Sequence, residues 1–318
     1  MAYLIGTDEA GYGPKLGPLV VSATLWQTPN DDFPTDLYQV FGDFVTDGPT
    51  KNQEQIAVAD SKALYSSHGS LAALERGVLP VLLAMESPVT DWRGLLESLD
   101  ATAVEAVKRL PWQCDFDIPL PIDVDAVVVD GLAAKWSSAR TKTGCGPVRI
   151  ASRIVFPHQL NDLIDRLGSK GAALTEITLA LVADNIDETE VAQTHVVCDR
   201  HGGRKKYAAA IQHAFPDWMV RVDCEQADES AYRTGREGQL DFRFRVGGEA
   251  FLPTALASMT SKFVREVAMR AFNQFWCEQV PGLKPTAGYP VDAVRFFEEI
   301  SPARQKLGIE DRLLWRAR

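Results

Sequence analysis

The chain has 318 residues and a mass of 35.0 kDa, enough for one large domain or two ordinary ones. Apolar residues make up 46% and charged residues 24%, which excludes disordered, collagen-like and coiled-coil proteins, and no stretch approaches the roughly 18 apolar residues of a membrane span. The net charge of −10 excludes a protein that coats nucleic acid by charge alone, but it allows a nuclease, whose metal site collects carboxylates.

The cysteines and the first residues bear on the cellular compartment. The opening segment contains Asp8 and Glu9 but no basic region, so we expect no secretory signal. The five cysteines show no C-x-x-C pair; they are Cys114, Cys145, Cys198, Cys224 and Cys277. This pattern predicts reduced thiols in a cytoplasmic protein rather than a disulfide framework or a zinc site.

The chain begins with two predicted strands. Residues 2–8 read as a strand that ends at Asp8, and residues 19–26 read as a second strand rich in Val and Leu. Residues 11–18 between them are rich in glycine and proline, which predicts a long turn. The two strands are therefore expected to form a hairpin.

The middle of the chain is less regular, and the remainder alternates between strands and helices. We interpret residues 87–147, which follow a predicted helix over 70–85, as an insertion packed on the core. The later predicted strands are 148–155, 195–199, 218–224 and 240–246, and the later predicted helices begin at Pro157, cover 171–185 and cover 253–276. This alternation favours an α/β fold with a mixed sheet, in which ligands lie at the carboxyl ends of strands.

Acidic residues at the ends of predicted strands are the candidate metal ligands. Asp8 and Glu9 precede a glycine-rich turn, and the alternative interpretation is an acidic turn without function. Asp199 ends an apolar strand before a Gly-Gly turn, where it could equally cap a helix. Asp130 also ends a strand-like run, so the local pattern does not choose between Asp130 and Asp199.

Glu266 and two basic clusters complete the candidate groups. Glu266 lies at the edge of the apolar stripe of the long helix, where it could simply pair with Lys262 or Arg270. The first basic cluster is Arg200, Arg204, Lys205 and Lys206, and the second is Arg312, Arg316 and Arg318. Each cluster could contact phosphates or could simply be a solvated face.

Four segments of the chain resemble the ribonuclease HII (type 2 ribonuclease H) family, in the family's order. They are Asp8-Glu9-Ala10-Gly11-Tyr12-Gly13-Pro14 with Gly17-Pro18-Leu19-Val20-Val21, Asp60-Ser61-Lys62, the helix from Ala257 to Glu266, and Gly288-Tyr289-Pro290. Each segment alone is a weak signal, whereas the ordered set is specific and spans nearly the whole chain. The sequence thus resembles a divergent member of this family.

The resemblance implies a fold and a domain division. The expected fold is a ribonuclease H-like mixed sheet flanked by helices, with insertions and a C-terminal helical extension. Residues 1–280 would form the catalytic domain, which would include the insertion at about 87–147, and residues 281–318 would form the extension. The long segment between Asp199 and the helix suggests an added hairpin near 225–250.

The resemblance also implies an activity and its residues. The family cleaves the RNA strand of RNA–DNA hybrids with the help of metal ions, so Mg²⁺ or Mn²⁺ is the expected cofactor, held by oxygen ligands. The implied catalytic and metal-binding residues are Asp8, Glu9, Asp199 and Glu266, and Asp199 is favoured over Asp130 because a strand and helices precede it. The implied substrate-binding residues are Gly11, Tyr12, Gly13, Lys62, Arg204, Lys205 and Tyr289.

Two positions depart from the family pattern. Tyr12 stands where the family has Arg or Lys, and Glu266 stands where it has Asp. The expected partner is an RNA–DNA hybrid or DNA with embedded ribonucleotides, with no membrane, and a monomer is favoured. The alternatives are a nucleic-acid-binding protein with weakened catalysis and a nuclease of the same fold that acts on another nucleic acid.

Overall fold

The computed structural model describes residues 1–29, 36–65, 69–186 and 192–317. Seven strands form the main sheet: β1 (Ala2–Ala10), β2 (Leu19–Thr28), β5 (Gly146–Val155), β6 (Gln193–Asp199), β7 (Arg221–Glu225), β8 (Glu229–Thr234) and β9 (Leu240–Arg245). Two short strands, β3 (Val45–Thr46) and β4 (Ile56–Ala57), pair with each other outside it.

The helices of the first half are α1 (Leu37–Val40), α2 (Ser61–Leu64), α3 (Ala72–Ala84), α4 (Trp92–Leu99), α5 (Ala101–Val107) and α6 (Ala126–Thr143). The helices of the second half are α7 (Pro157–Leu167), α8 (Lys170–Ile186), α9 (Ala208–Ala214), α10 (Leu252–Gln279), α11 (Pro290–Glu299), α12 (Ser301–Lys306) and α13 (Asp311–Leu314). No helix among the described residues is long and apolar enough to cross a membrane.

The main sheet is mixed, with the strand order β5-β2-β1-β6-β9-β8-β7. The three central strands β1, β6 and β9 run parallel, while β2 and β5 on one side and β8 and β7 on the other are antiparallel to their neighbours. The predicted mixed sheet flanked by helices is therefore confirmed. Its parallel centre brings the carboxyl ends of three strands to one edge.

Each face of the sheet has its own apolar core. On one face, the long helix α10 packs against β1 together with the helices of the insertion, and on the other face α7, α8 and α9 cover the sheet. The helix α10 approaches β1 so closely that a Cβ atom at Gly6 would lie 2.1 Å from the backbone nitrogen of Thr254. Glycine at this position therefore sets the distance between helix and sheet.

The predicted element boundaries differ from the structure at three places. The first strand continues to Ala10, so Asp8 and Glu9 both pair with residues of β2. Asp130 is an exposed residue inside helix α6, so the prediction of a strand that ends there was wrong. The segment 218–250 contains a strand, β8, that the sequence did not separate from its neighbours, and β7, β8 and β9 extend the sheet as an antiparallel unit.

The residues after 280 form three short helices that close against the rest of the chain. Leu314 is fully buried and belongs to the same apolar core as α10, and Leu16 forms an isolated bridge with Trp315. The insertion is joined to this core as well, since the Gln113 amide donates to the Ala268 carbonyl at 3.0 Å. The division at residue 280 stays a prediction.

Candidate functional site

Four carboxylates lie near one another, at the carboxyl edge of the parallel strands. Asp8 and Glu9 lie near the end of β1, Asp199 is the last residue of β6, and Glu249 lies in the turn that follows β9. Strands β1 and β6 pair in parallel up to Thr7 and Cys198, which sets the ends of these two strands side by side. We call these four side chains the acidic cluster.

A close approach of the backbone puts Glu249 beside Asp199. The amide of Gly248 donates to Oδ1 of Asp199 at 3.1 Å, and a Cβ atom at Gly248 would lie 3.0 Å from the Asp199 backbone. Only glycine fits that space without a shift of the turn. The short helical turn Gly248–Ala250 therefore presents the Glu249 carboxyl to the end of β6.

Asp8 lies on β1 and is affected by two other acids of the cluster. Burial raises its pKa to about 7, and the charges of Asp199 and Glu249 act in the same direction, while a hydrogen bond from Ser258 opposes them. Ser258 is held in turn by Ser61, 3.1 Å away between the hydroxyl oxygens. The cost of a buried charge and repulsion from like charges thus act together on Asp8.

Glu9 and Asp199 experience the same two effects. Burial, followed by the charges of Asp8 and Asp199, raises the pKa of Glu9 well above its usual range. Burial and the nearby Glu249 carboxyl raise the pKa of Asp199 to about 6, against the hydrogen bond from Gly248. Three of the four acids are therefore held in a state that a cation or a proton would stabilise.

Lys62 is a cation that faces this cluster. Burial acts to lower its pKa, but Asp60, Asp8, Glu249 and Asp199 outweigh that effect and raise it. Its side chain is 85% exposed, and it lies 3.9 Å from the Asp60 carboxylate. One exposed ammonium group only partly offsets the charge of four acids.

The donor chemistry of the cluster fits a hard divalent cation. All four side chains offer carboxylate oxygens, the ligands that Mg²⁺ and Mn²⁺ prefer. Oε2 of Glu249 is buried and has no hydrogen-bond donor among the described residues. Within the described ranges, however, no three His, Cys, Asp or Glu side chains are close enough to hold one ion together.

Glu266, the fourth acid that the resemblance implied, lies in different surroundings. Its carboxylate accepts from the Tyr65 hydroxyl at 2.8 Å and from Lys262 at 2.6 Å. The helix places it one turn beyond Lys262, and its charge is neutralised there. The charges that act on Asp8 come from Asp199 and Glu249 instead.

The predicted substrate-binding loop lies beside the cluster. Gly11, Tyr12 and Gly13 follow β1 directly, and burial together with the charge of Glu9 raises the pKa of Tyr12. A Cβ atom at Gly13 would lie 3.7 Å from the ring of Tyr289, which is 51% exposed. The loop and Tyr289 thus form one continuous surface next to the acids.

Arg204 and Lys205 differ from each other in their contacts. Arg204 donates to Thr175 Oγ1 at 3.1 Å and lies over the ring of Tyr207, so protein groups already occupy its guanidinium. Lys205 is exposed, and its carbonyl accepts from Ser230 and Tyr232. Among the predicted basic residues of this segment, Lys205 is therefore freer to contact a ligand.

Glu249, which lies in the acidic cluster, was not predicted as a candidate ligand. Glu249 carries the same signal as Asp199, since it follows a predicted strand. The motif on the long helix directed attention to Glu266 instead. A search for every acid within a few residues of a strand end would have found Glu249.

The sequence analysis also missed the role of two buried arginines. Arg316 donates to the carbonyls of Gly11, Pro14 and Gly17, and Arg265 donates to the Ala287 carbonyl at 2.9 Å. The basic cluster predicted that Arg316 contacts phosphates or lies on a solvated face, but its guanidinium is fully buried against carbonyls. Neither its contacts nor those of Arg265 are visible in a local pattern, because the carbonyls are distant in the sequence. Arg318, the last member of the second basic cluster, lies outside the described residues.

No protein-family model matches the chain, and no curated protein matches it. The chain is similar to a structure of the PCNA:RNase HII complex from Archaeoglobus fulgidus, with 14% identity, 99% of this chain and 92% of that chain covered, and a TM-score of 0.45. It is also similar to ribonuclease H2 from Pyrococcus horikoshii OT3, with 13% identity, 98% and 92% coverage, and a TM-score of 0.45.

A third similar structure is a mutant of Bst-RNase HIII, with 15% identity, 99% of this chain and 66% of that chain covered, and a TM-score of 0.44.

Proposed function

We propose that the protein is a metal-dependent endoribonuclease that cleaves the RNA strand of RNA–DNA hybrids. The observation that carries the proposal is the acidic cluster, whose Asp8, Glu9 and Asp199 all have raised pKa values because they are buried together. Repulsion between such acids destabilises the folded protein unless a bound cation relieves it.

Asp8, Glu9, Asp199 and Glu249 would hold Mg²⁺ or Mn²⁺, with Glu249 in the place that the resemblance gave to Glu266. Divalent ions at such a site supply activation of the attacking water and stabilisation of the leaving 3′-oxygen. The protein's own contribution would be to hold the four carboxylates near the strand ends. No side chain has to become a covalent nucleophile.

The surface beside the cluster suits a nucleic acid. The exposed ring of Tyr289 could stack on a sugar or base, and Lys62 and Lys205 could contact phosphates. The backbone amides of Gly11 and Gly13 could donate hydrogen bonds to a 2′-hydroxyl, which is the group that distinguishes RNA from DNA. The five cysteines are all unpaired, which supports a place in a reducing cytoplasm.

A second candidate is a protein that binds the same nucleic acid with weak or no turnover. The observation that favours it is that no three acids among the described residues are close enough to share an ion. The two candidates differ in metal uptake, because a binding protein would bind hybrid equally well when EDTA is present.

The test uses the full chain with three end-labelled substrates, namely an RNA–DNA hybrid, DNA with one embedded ribonucleotide, and single-stranded RNA. Each is incubated with Mg²⁺, Mn²⁺ or EDTA. We expect metal-dependent nicks in the RNA strand of the hybrid, and we expect Asp8→Asn to lower the rate about a hundredfold or more.

Intact substrates with both metals would overturn the nuclease proposal. Calorimetry then separates the remaining possibilities: hybrid binding without metal uptake supports the second candidate, and cleavage of a different nucleic acid in a wider panel supports a nuclease of another specificity. The Asp130→Asn variant is the matched control, because Asp130 is an exposed helix residue.

A further inference from the structure

Cations gather around Tyr12, on the side of its loop that faces helix α8. Nζ of Lys170, the first residue of α8, lies 4.8 Å from the centre of the Tyr12 ring. Burial lowers the pKa of Lys170 to about 8, and the charges of Arg316 and Lys15 act in the same direction. Three positive side chains are therefore close enough to repel one another.

Among the described residues, only Arg316 of these three cations has its charged group occupied by hydrogen-bond acceptors, while Lys170 contacts the face of the Tyr12 ring. The Arg316 guanidinium is buried and is occupied by the carbonyls of Gly11, Pro14 and Gly17. Within the described ranges, no carboxylate forms an ion pair with Lys15 or Lys170. A concentration of positive charge without an internal counter-ion predicts an anion from outside.

The Tyr12 ring links these cations to the acidic cluster. The charge of Glu9 acts on the Tyr12 hydroxyl, while Lys170 lies over the face of the same ring. The hydroxyl would also lie 3.7 Å from a Cβ atom at Gly171, so the ring is wedged between β1 and the start of α8. An anion at Lys170 would therefore sit one side chain away from the proposed metal site.

We propose that Lys170 and Lys15 bind a backbone phosphate of the nucleic acid, with Tyr12 positioning Lys170 between this phosphate and the acids. The inference rests on the proposed function and adds a substrate-binding residue to it. A phosphodiester within a duplex is favoured over free phosphate, because Gly13 and the exposed Tyr289 continue the same surface and offer room for the adjoining sugars.

The experiment measures affinity for an RNA–DNA hybrid and for a plain DNA duplex by fluorescence anisotropy, in EDTA, over a series of salt concentrations. The variants are Lys170→Met, Lys170→Arg and Lys15→Met. Lys142→Met is the matched control, because Lys142 is exposed and precedes the end of β5 that lies farthest from the acids. Each Met variant keeps most of the side-chain stem but removes its charge.

Loss of one phosphate contact lowers the slope of log affinity against log salt by about 0.9. Because Lys170 and Lys15 would share this phosphate, wild-type affinity should fall up to about 3.5 times more than that of Lys170→Met or Lys15→Met between about 50 and 200 mM salt. Lys170→Arg should retain the wild-type slope, and so should Lys142→Met. Equal slopes for Lys170→Met and Lys142→Met would overturn the inference.

The failure of this inference is distinguishable from failure of the proposed function. If the wild-type protein cuts the hybrid while Lys170→Met binds like Lys142→Met, the phosphate site is refuted and the nuclease stands. If duplex binding depends on Lys170 but no substrate is cut, the phosphate site stands alone. If inorganic phosphate binds at Lys170 but Lys170→Met leaves the duplex affinity unchanged, the site is not a backbone contact and the inference is refuted.

Discussion

Glu249 and Glu266 have identical side chains but lie in different surroundings. Glu249 lies near Asp199 and has a buried oxygen without a donor among the described residues. Glu266 instead forms an ion pair with Lys262 and accepts a hydrogen bond from Tyr65. We expect Glu249→Gln to weaken Mn²⁺ binding about tenfold or more, because one oxygen ligand and its charge are lost. Glu266→Gln should change the affinity by less than about threefold.

Isothermal titration calorimetry with Mn²⁺ checks this prediction without reliance on turnover. Circular dichroism of both variants serves as the control for folding. A greater loss of affinity in Glu266→Gln than in Glu249→Gln would restore Glu266 as the fourth ligand and would remove Glu249 from the proposed site.

His201 should make stability depend on pH. It is buried between Thr175 and Thr178, and burial, followed by Arg204, lowers its pKa to about 3. Between about pH 3 and 6.5 the His201 imidazole is protonated in the unfolded chain but not in the folded chain, so stability is lost as pH falls through this window. The contribution to the slope is at most about 1.4 kcal/mol per pH unit.

Urea unfolding of the wild type and of His201→Gln, from pH 5 to pH 8, measures this contribution as a difference between the two proteins. Other groups that titrate in the same range cancel in that difference. His213→Gln is the control, since His213 is exposed on α9. Parallel pH profiles for wild type and His201→Gln would contradict the prediction.

The candidate acids show what a sequence can and cannot reveal at the level of single residues. Asp8 and Asp199 were predicted as strand-end acids because an apolar run followed by an acid is a local pattern. Asp130 follows an equally apolar run, yet its segment is a helix capped by Asp125, and a short apolar run does not distinguish the two. Glu249 reaches the site only through the pairing of β6 with β9, which is a long-range fact.

At the scale of elements, the contact between β1 and α10 fixes the depth of the site. A Cβ atom at Gly6 would meet the Thr254 nitrogen at 2.1 Å and the Pro253 carbonyl carbon at 2.2 Å. Backbone cannot yield as a flexible side chain can, so Gly6→Ala should push the helix away from the strand. We expect a loss of about 3 kcal/mol or more in the free energy of unfolding.

Gly131→Ala is the matched control for this substitution. Gly131 lies inside helix α6 with open space around it, so alanine should leave stability unchanged or raise it by up to about 1 kcal/mol. Urea denaturation of the two variants gives the comparison. Equal stabilities for Gly6→Ala and wild type would mean that the helix can move without cost.

Several elements were predictable because local patterns in the sequence define them. The buried strands β1, β2 and β6 are short apolar runs bounded by turns, and the order of strands and helices after residue 148 favoured a mixed sheet. Strand β8 was not separated, since its sequence Glu-Ser-Ala-Tyr-Arg-Thr mixes polar and apolar residues. Its partners β7 and β9 define it through pairing, which no local pattern contains.

At the scale of the whole molecule, Arg316 joins the last helix to the loop after β1. Its guanidinium donates to the carbonyls of Gly11, Pro14 and Gly17 in a buried setting, so removal leaves acceptors without donors. We expect Arg316→Met to destabilise the protein by about 3 kcal/mol. Amide hydrogen exchange in residues 11–17 should become faster than in the wild type.

Arg312→Met tests the other described member of the same predicted basic cluster. Arg312 is half exposed and pairs with Asp162 and Asp165, so its loss should cost much less stability than the loss of Arg316. Thermal and urea unfolding of both variants provide the measurement. If both variants lose the same stability, the buried hydrogen bonds of Arg316 contribute no more to stability than the exposed ion pairs of Arg312.

The anchoring of residues 11–17 by Arg316 ties an early part of the polypeptide to one made about 300 positions later. Ribosomes synthesise chains from the amino end, so this loop emerges long before the side chain that fixes its carbonyls. Strands β1 and β2 can pair during translation, but the carbonyls of residues 11–17 cannot be fixed until Arg316 has been synthesised. The nascent protein is thus expected to complete the acidic cluster, whose last member is Glu249, before the loop of residues 11–17 is fixed.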